Sequence, residues 1–161
     1  MGKNSHVISG AFVFMLLGIF AILSTFMVLM GAKAYNGTVQ KSATNNSIRV
    51  ASSYIRTMLR SDDEIGALRL EDVEGVQTIT MENDWGDVYV TRIYVYEGML
   101  REWFAMKDIP FQPKNGEGVC ELDSMDAVIE DDILKVTVSK NDKNMEIVFA
   151  PRTAAAMRGE E

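Results

Sequence analysis

The sequence predicts an α+β protein: a long N-terminal transmembrane helix continuing into an amphipathic helix that packs on an antiparallel β-sheet. Three observations predict it. An uncharged apolar run fills residues 7–32, an apolar period of three to four residues follows it as far as Arg60, and from residue 67 apolar residues alternate with polar ones between turn signals.

The apolar run comes first. No charge occurs from Val7 to Ala32, and Phe12, Met15, Phe20 and Phe26 fall on different sides of a helix. About 26 residues at roughly 1.5 Å each extend near 39 Å, enough to cross a bilayer core with some tilt. Ala32-Lys33-Ala34 has the small-x-small form that a signal peptidase accepts, but the run exceeds the usual signal core of about 7–15 residues. Gly10, Gly18 and Gly31 would allow close helix contact without the four-residue spacing of the well-known dimer motif. Lys3 precedes the span and Lys33, Lys41 and Arg49 follow it, a charge count that leans towards a cytoplasmic C-terminal domain.

Beyond the span the pattern stays helical. Ile48, Ala51, Ile55 and Met58 recur three or four apart, Tyr54 and Leu59 widen the stripe, and Arg49, Ser53, Arg56 and Arg60 lie elsewhere. Asn36-Gly37-Thr38 and Thr44-Asn45-Asn46-Ser47 are poor helix formers and read as a hinge or a frayed stretch. Both contain short matches to a glycosylation sequon, a pattern common by chance.

Strands follow residue 61. ALRLE (67–71) is short, and VQTITME (76–82) alternates. DVYVTRIYVYEGMLREWFAM (87–106) reads as a hairpin turning at Glu97-Gly98. IPFQPKNGEG (109–118) is a loop by its prolines and glycines. GVCELDSMDAVIED (118–131), ILKVTVSK (133–140) and MEIVFAP (145–151) supply the remaining strands, the last two joined at Asn141–Asn144. Leu134, Val136 and Val138 alternate with Lys135, Thr137 and Ser139, the signature of a sheet with one wet face. Trp103 and Phe104 are neighbours on a strand, so they point opposite ways and at least one belongs to the core; Trp85 stands in a turn. The expected organisation is a polar tail (1–6), the span (7–32), an amphipathic stalk (33–61), a sheet domain (62–151) and a short tail (152–161).

Composition narrows function. All 23 acidic residues lie from Asp62 onward, whereas residues 33–61 carry Lys33, Lys41, Arg49, Arg56 and Arg60 and no acid. An acidic domain on a basic stalk argues against nucleic acid, which needs cations over the binding face. The lone Cys120 forms no disulfide within the chain, and the lone His6 lies in the polar tail, so zinc sites and nucleophilic triads lack parts. Asn83–Asp87, Asp123–Asp126 and Glu130–Asp132 are acidic, but none has the spaced ligands of a calcium loop, and each falls where a turn is expected anyway. No catalytic residue, cofactor, metal or small-molecule substrate is indicated. The partners expected are the membrane and other proteins.

Three stretches carry a resemblance: NSIRVASSYIRTMLRSDDEI, RIYVYEGMLREWF and ILKVTVSKNDKNMEIVFAP. With the apolar helix before them, this layout resembles the pilin-like superfamily, type IV pilins and type II secretion minor pseudopilins, the J-type most of all. It is also similar, more weakly, to an uncharacterised family of Gram-positive single-pass membrane proteins. The first resemblance implies a bacterial subunit that assembles with other pilin-like subunits or an assembly platform, and an extracytoplasmic C-terminal domain. It also implies a processing site after a glycine, which here would be Gly10, with Ala11 as the new first residue. In that family a glutamate stands fifth after the cut and pairs with a neighbour's terminal amine. Met15 occupies that position here and carries no charge. The alternative expectation is an uncleaved, anchored accessory or binding domain.

Overall fold

A computed structural model describes residues 3–61, 68–84 and 86–151, so Trp85, the acidic residues 62–64 and the tail from 152 lie outside the described residues. The chain forms two units, one up to Ser42 and one from Ala43. Helix α1, Lys3–Ser61, belongs to both. The stretch expected to hinge or fray at Asn36–Ser47 is helical throughout. Tertiary bonds offset the weak propensity at its later end: Asn141 Nδ2 donates to Thr44 Oγ1 at 2.7 Å, and Lys143 Nζ donates to Asn45 Oδ1 at 2.6 Å.

The second unit carries eight strands: β1 (Leu68–Val73), β2 (Val76–Asp84), β3 (Val88–Tyr96), β4 (Met99–Met106), β5 (Glu117–Glu121), β6 (Ser124–Glu130), β7 (Ile133–Lys140) and β8 (Lys143–Phe149). They form two antiparallel sheets and not the single sheet expected: a five-stranded meander β1-β2-β3-β4-β5 and a three-stranded one β6-β7-β8. The chain changes sheet at Leu122-Asp123. Leu122 is fully buried, its N–H donates to Gly98 O at 3.0 Å, and the next N–H donates to Ser139 O at 2.9 Å. One backbone bond thus ends the first sheet and the next begins the second.

Turn chemistry sets the hairpins. Glu97 and Gly98 both have positive φ, 51° and 72°, the twist that matches a two-residue antiparallel turn and that glycine adopts without strain. Asp131 and Asp132, at 50° and 62°, turn β6 into β7 in the same way.

The core has three contributors. Ile48, Ala51, Ile55 and Leu59 of α1 meet Ile79, Ile93 and Leu100 of the first sheet and Leu134, Val136 and Ile147 of the second. Each large aliphatic side chain buried there contributes about 1.5–3 kcal/mol. The helical stripe read from the sequence is thus the buried one, with Tyr54 and Met58 half-buried at its borders.

The opposite face of the first sheet holds a smaller cluster of Val90, Tyr94, Trp103 and Phe111. Trp103 is the core member of its pair, and Phe104 is 53% exposed. Phe111 reaches the cluster from the segment expected as a loop, which contains a short 3-10 turn at Pro113–Asn115 and gives way to β5 at Glu117, one residue before the expected end. Tyr94 Oη donates to Pro113 O at 2.7 Å and Arg101 Nη1 donates to Gly116 O at 2.8 Å, pinning the segment down. A Cβ on Gly116 would collide with the Tyr94 hydroxyl and lie 2.9 Å from Glu102 O. Gly116→Ala is therefore expected to cost about 1–3 kcal/mol, read as a lower urea midpoint with unchanged slope.

Candidate membrane anchor and docking faces

The first candidate site is the apolar part of α1. Its most apolar 18-residue window has a mean hydropathy of 2.6 and is not buried by any of the described residues. Phe14 is 78% exposed and Phe20 70%, and Leu16, Leu23 and Phe26 are likewise open. A contiguous apolar surface of this size far exceeds the few hundred Å² found on soluble monomers, so its natural solvent is lipid or other apolar helices. The helix satisfies its own backbone, and Thr25 Oγ1 donates to Ala21 O at 2.9 Å, so the hydroxyl is also bonded within the helix.

All the sequence-derived site residues fall on this element. Phe12, Met15, Phe20, Phe26 and Ala32 are exposed, and Gly10 and Ala11 are in helical conformation near its start. Val7 is helical, with its side chain outside the described residues.

The second candidate is the sheet face bearing Trp103. Arg69 on β1, Arg92 on β3 and Arg101 on β4 share that face with Glu71, Thr78, Thr80 and Glu82, by register. The hydroxyls of Thr78 and Thr80 lie 3.1 Å apart, and Thr80 Oγ1 donates to Glu71 Oε2 at 3.1 Å. Arg92 lies 3.7 Å from Glu71 and its guanidinium sits 5.3 Å from the ring centres of both Trp103 and Phe111. Such cation–ring contacts contribute about 0.5–1 kcal/mol at exposed sites. The Nε atoms of Arg69, Arg92 and Arg101 are buried without a hydrogen-bond partner among the described residues. Sequence reasoning missed this face, although arginine alternating with apolar residues along β1, β3 and β4 was a usable period-two signal.

On the helix side, Tyr54 Oη donates to Glu102 Oε2. Burial first, then the bond to Glu102 and its charge, push the Tyr54 hydroxyl well above its ordinary pKa of 10.0. A raised folded pKa means that the folded chain holds this proton where the unfolded chain releases it. The stabilisation is therefore complete below about pH 10 and is lost as pH rises from there towards the folded pKa. Tyr54→Phe is expected to cost about 1 kcal/mol at pH 7, because the bond is only half-buried, and to flatten the fall in melting temperature above pH 10.

The acidic turn at Asp123 is engaged within the fold. Asp123 Oδ2 accepts from Asn141 N at 2.6 Å and its other oxygen lies 3.2 Å from Lys140, which together hold its carboxyl below the usual range. Burial alone would lower Lys140, but bonds to Asp123 and Glu121 raise it. Among the described residues no group of three His, Cys, Asp or Glu could hold a metal ion. Cys120 is half-buried, its Sγ lies 3.7 Å from Ser47 O, and burial pushes its thiol up against the opposing pull of Lys140.

Among the described residues, one apolar helix of membrane-anchor length and composition precedes an antiparallel β domain, the layout of a single-pass anchored protein. Residues 46–141 match the family described as a domain of unknown function (DUF4860), a match over more than half of the chain, so the chain belongs to that family. No curated protein and no solved structure matches it.

Proposed function

We propose that the chain is a bitopic pilin- or pseudopilin-like subunit of a type IV pilus or secretion-type assembly, with its β domain outside the cytoplasm. It acts by association and not by catalysis. The observation that carries this reading is α1 itself: one uninterrupted helix, apolar all round as far as Ala32, whose later face joins a core with antiparallel strands. A helix of that kind can leave lipid for a bundle of like helices while its backbone stays satisfied.

Mass spectrometry of the chain from bacterial membranes tests the reading. Ala11 as the mature first residue supports it, and an intact Met1 or Gly2 removes it. One observation favours a second reading, an uncleaved anchored accessory or binding domain of unknown ligand. Met15 stands where subunit docking in that superfamily uses a carboxylate. Sidedness is best read with an impermeant maleimide on Ser124→Cys in a Cys120→Ser background. Ser124 is exposed, whereas the native thiol is half-buried and protonated, hence slow to react. Labelling of intact cells is expected, and labelling only after lysis would place the domain inside.

A further inference from the structure

Two sheets leave four edge strands: β1 and β5 of the first, β6 and β8 of the second. An edge presents a row of unpaired backbone groups, and folded chains ordinarily blunt it. Two of the four are blunted. The Gln77 side chain behaves as a one-residue strand against β6: its Nε2 donates to Ala127 O at 2.9 Å, and its Oε1 accepts from Ala127 N at 2.9 Å. β5 is five residues long, and its pairing with β4 slips between Leu100 and Arg101. Among the described residues β1 pairs with β2 alone and β8 with β7 alone. Beside the start of β8 an open groove of about 470 Å³ runs past Ile48 and Arg49.

We infer that β1 of one copy pairs antiparallel with β8 of a second copy. One register fits both edges. It sets Arg69 opposite Glu146 and Asp72 opposite Lys143, two pairs of opposite charge. In the same register Leu68 and Leu70 fall opposite Ile147 and Met145, all four on the core-facing side of their sheets. A slip of one residue sets core-facing positions against outward ones. A slip of two either opposes Glu71 to Glu146 or leaves only three pairs.

Arg69 has capacity for a new partner: its side chain is partly exposed and its contact with Glu82 is long, 3.9 Å. Like edges fit less well. β1 against β1 gains two Arg69–Glu71 pairs only in a register that also opposes Leu68 to Asp72 twice, and β8 against β8 forms no directly opposed ion pair in a face-matched register. Because β1 and β8 are different surfaces, the contact is head-to-tail and leaves an open edge at each end of any oligomer that does not close into a ring. It requires neither cleavage after Gly10 nor a secretion machinery, and so stands apart from the proposal above.

The test uses the full chain in detergent, with Cys120→Ser in every sample and a short bis-maleimide as cross-linker. Copies carrying Asp72→Cys are mixed with copies carrying Lys143→Cys. The mixture is expected to give a covalent dimer, each variant alone to stay monomeric, and a chain with both substitutions to give a ladder of trimers and larger species. No product in the mixture, or a dimer from either variant alone, overturns the pairing. Within the mixture, Arg69→Glu is expected to cut the yield about three- to fivefold, and Glu146→Arg on the partner copy to restore it. A yield indifferent to both overturns the register.

Discussion

Placing arginine at both Phe20 and Leu23 is expected to move the chain from the carbonate-resistant membrane pellet to the soluble fraction. Phe20 is 70% exposed and Leu23 62%, both on the apolar stretch of α1. Each arginine near the bilayer centre costs about 2.5–3.5 kcal/mol on insertion scales, and each lost apolar side chain forfeits a further few tenths. Two together remove about 6 kcal/mol or more, beyond what snorkelling from so central a position restores. Val39→Arg serves as the control, since Val39 is exposed but follows the last residue of the uncharged run. Retention of the double variant in the pellet would mean that something other than the helix holds the protein there.

Ile55→Asp is expected to leave no folded β domain. Ile55 is fully buried where the helix meets both sheets, and among the described residues no lysine or arginine is buried. An unpaired carboxylate there must either remain charged without a partner or take up a proton. Either course, added to the lost packing, costs more than about 4–5 kcal/mol, a large share of the stability of a domain this size. Ile55→Ala separates cavity from charge: it should cost about 2–5 kcal/mol and leave a cooperative transition at lower urea. Hydrogen exchange in detergent would read both, through loss or weakening of amide protection in β2, β3 and β7. Full protection in Ile55→Asp would show that the helix does not belong to the core.

Several elements were legible because their cause is local. The span needs only a long run without charge, the stripe from Ile48 to Leu59 only its spacing, and the Glu97-Gly98 hairpin only two residues able to adopt positive φ between alternating strands. The strand bounds at β7 were read to the residue because the alternation there is unbroken. The candidate anchor residues followed from composition in the same way. By contrast, the hinge expected at Thr44–Ser47 is absent because its partners, Asn141 and Lys143, lie nearly a hundred residues away.

By itself, then, the sequence determined that there is one apolar helix, that an amphipathic helix and antiparallel strands follow it, and which side of each is greasy. These properties depend on neighbours within a few residues, where periodicity and turn preference act. Only the tertiary structure decided that the strands divide five and three, with Leu122 buried at the corner between them. It alone decided that Gln77 closes one edge while, among the described residues, β1 and β8 each pair on one side only, and that three arginines share a face with Trp103 and Phe111. Those outcomes turn on which distant strands meet and in what register, and that is settled by packing the whole core at once.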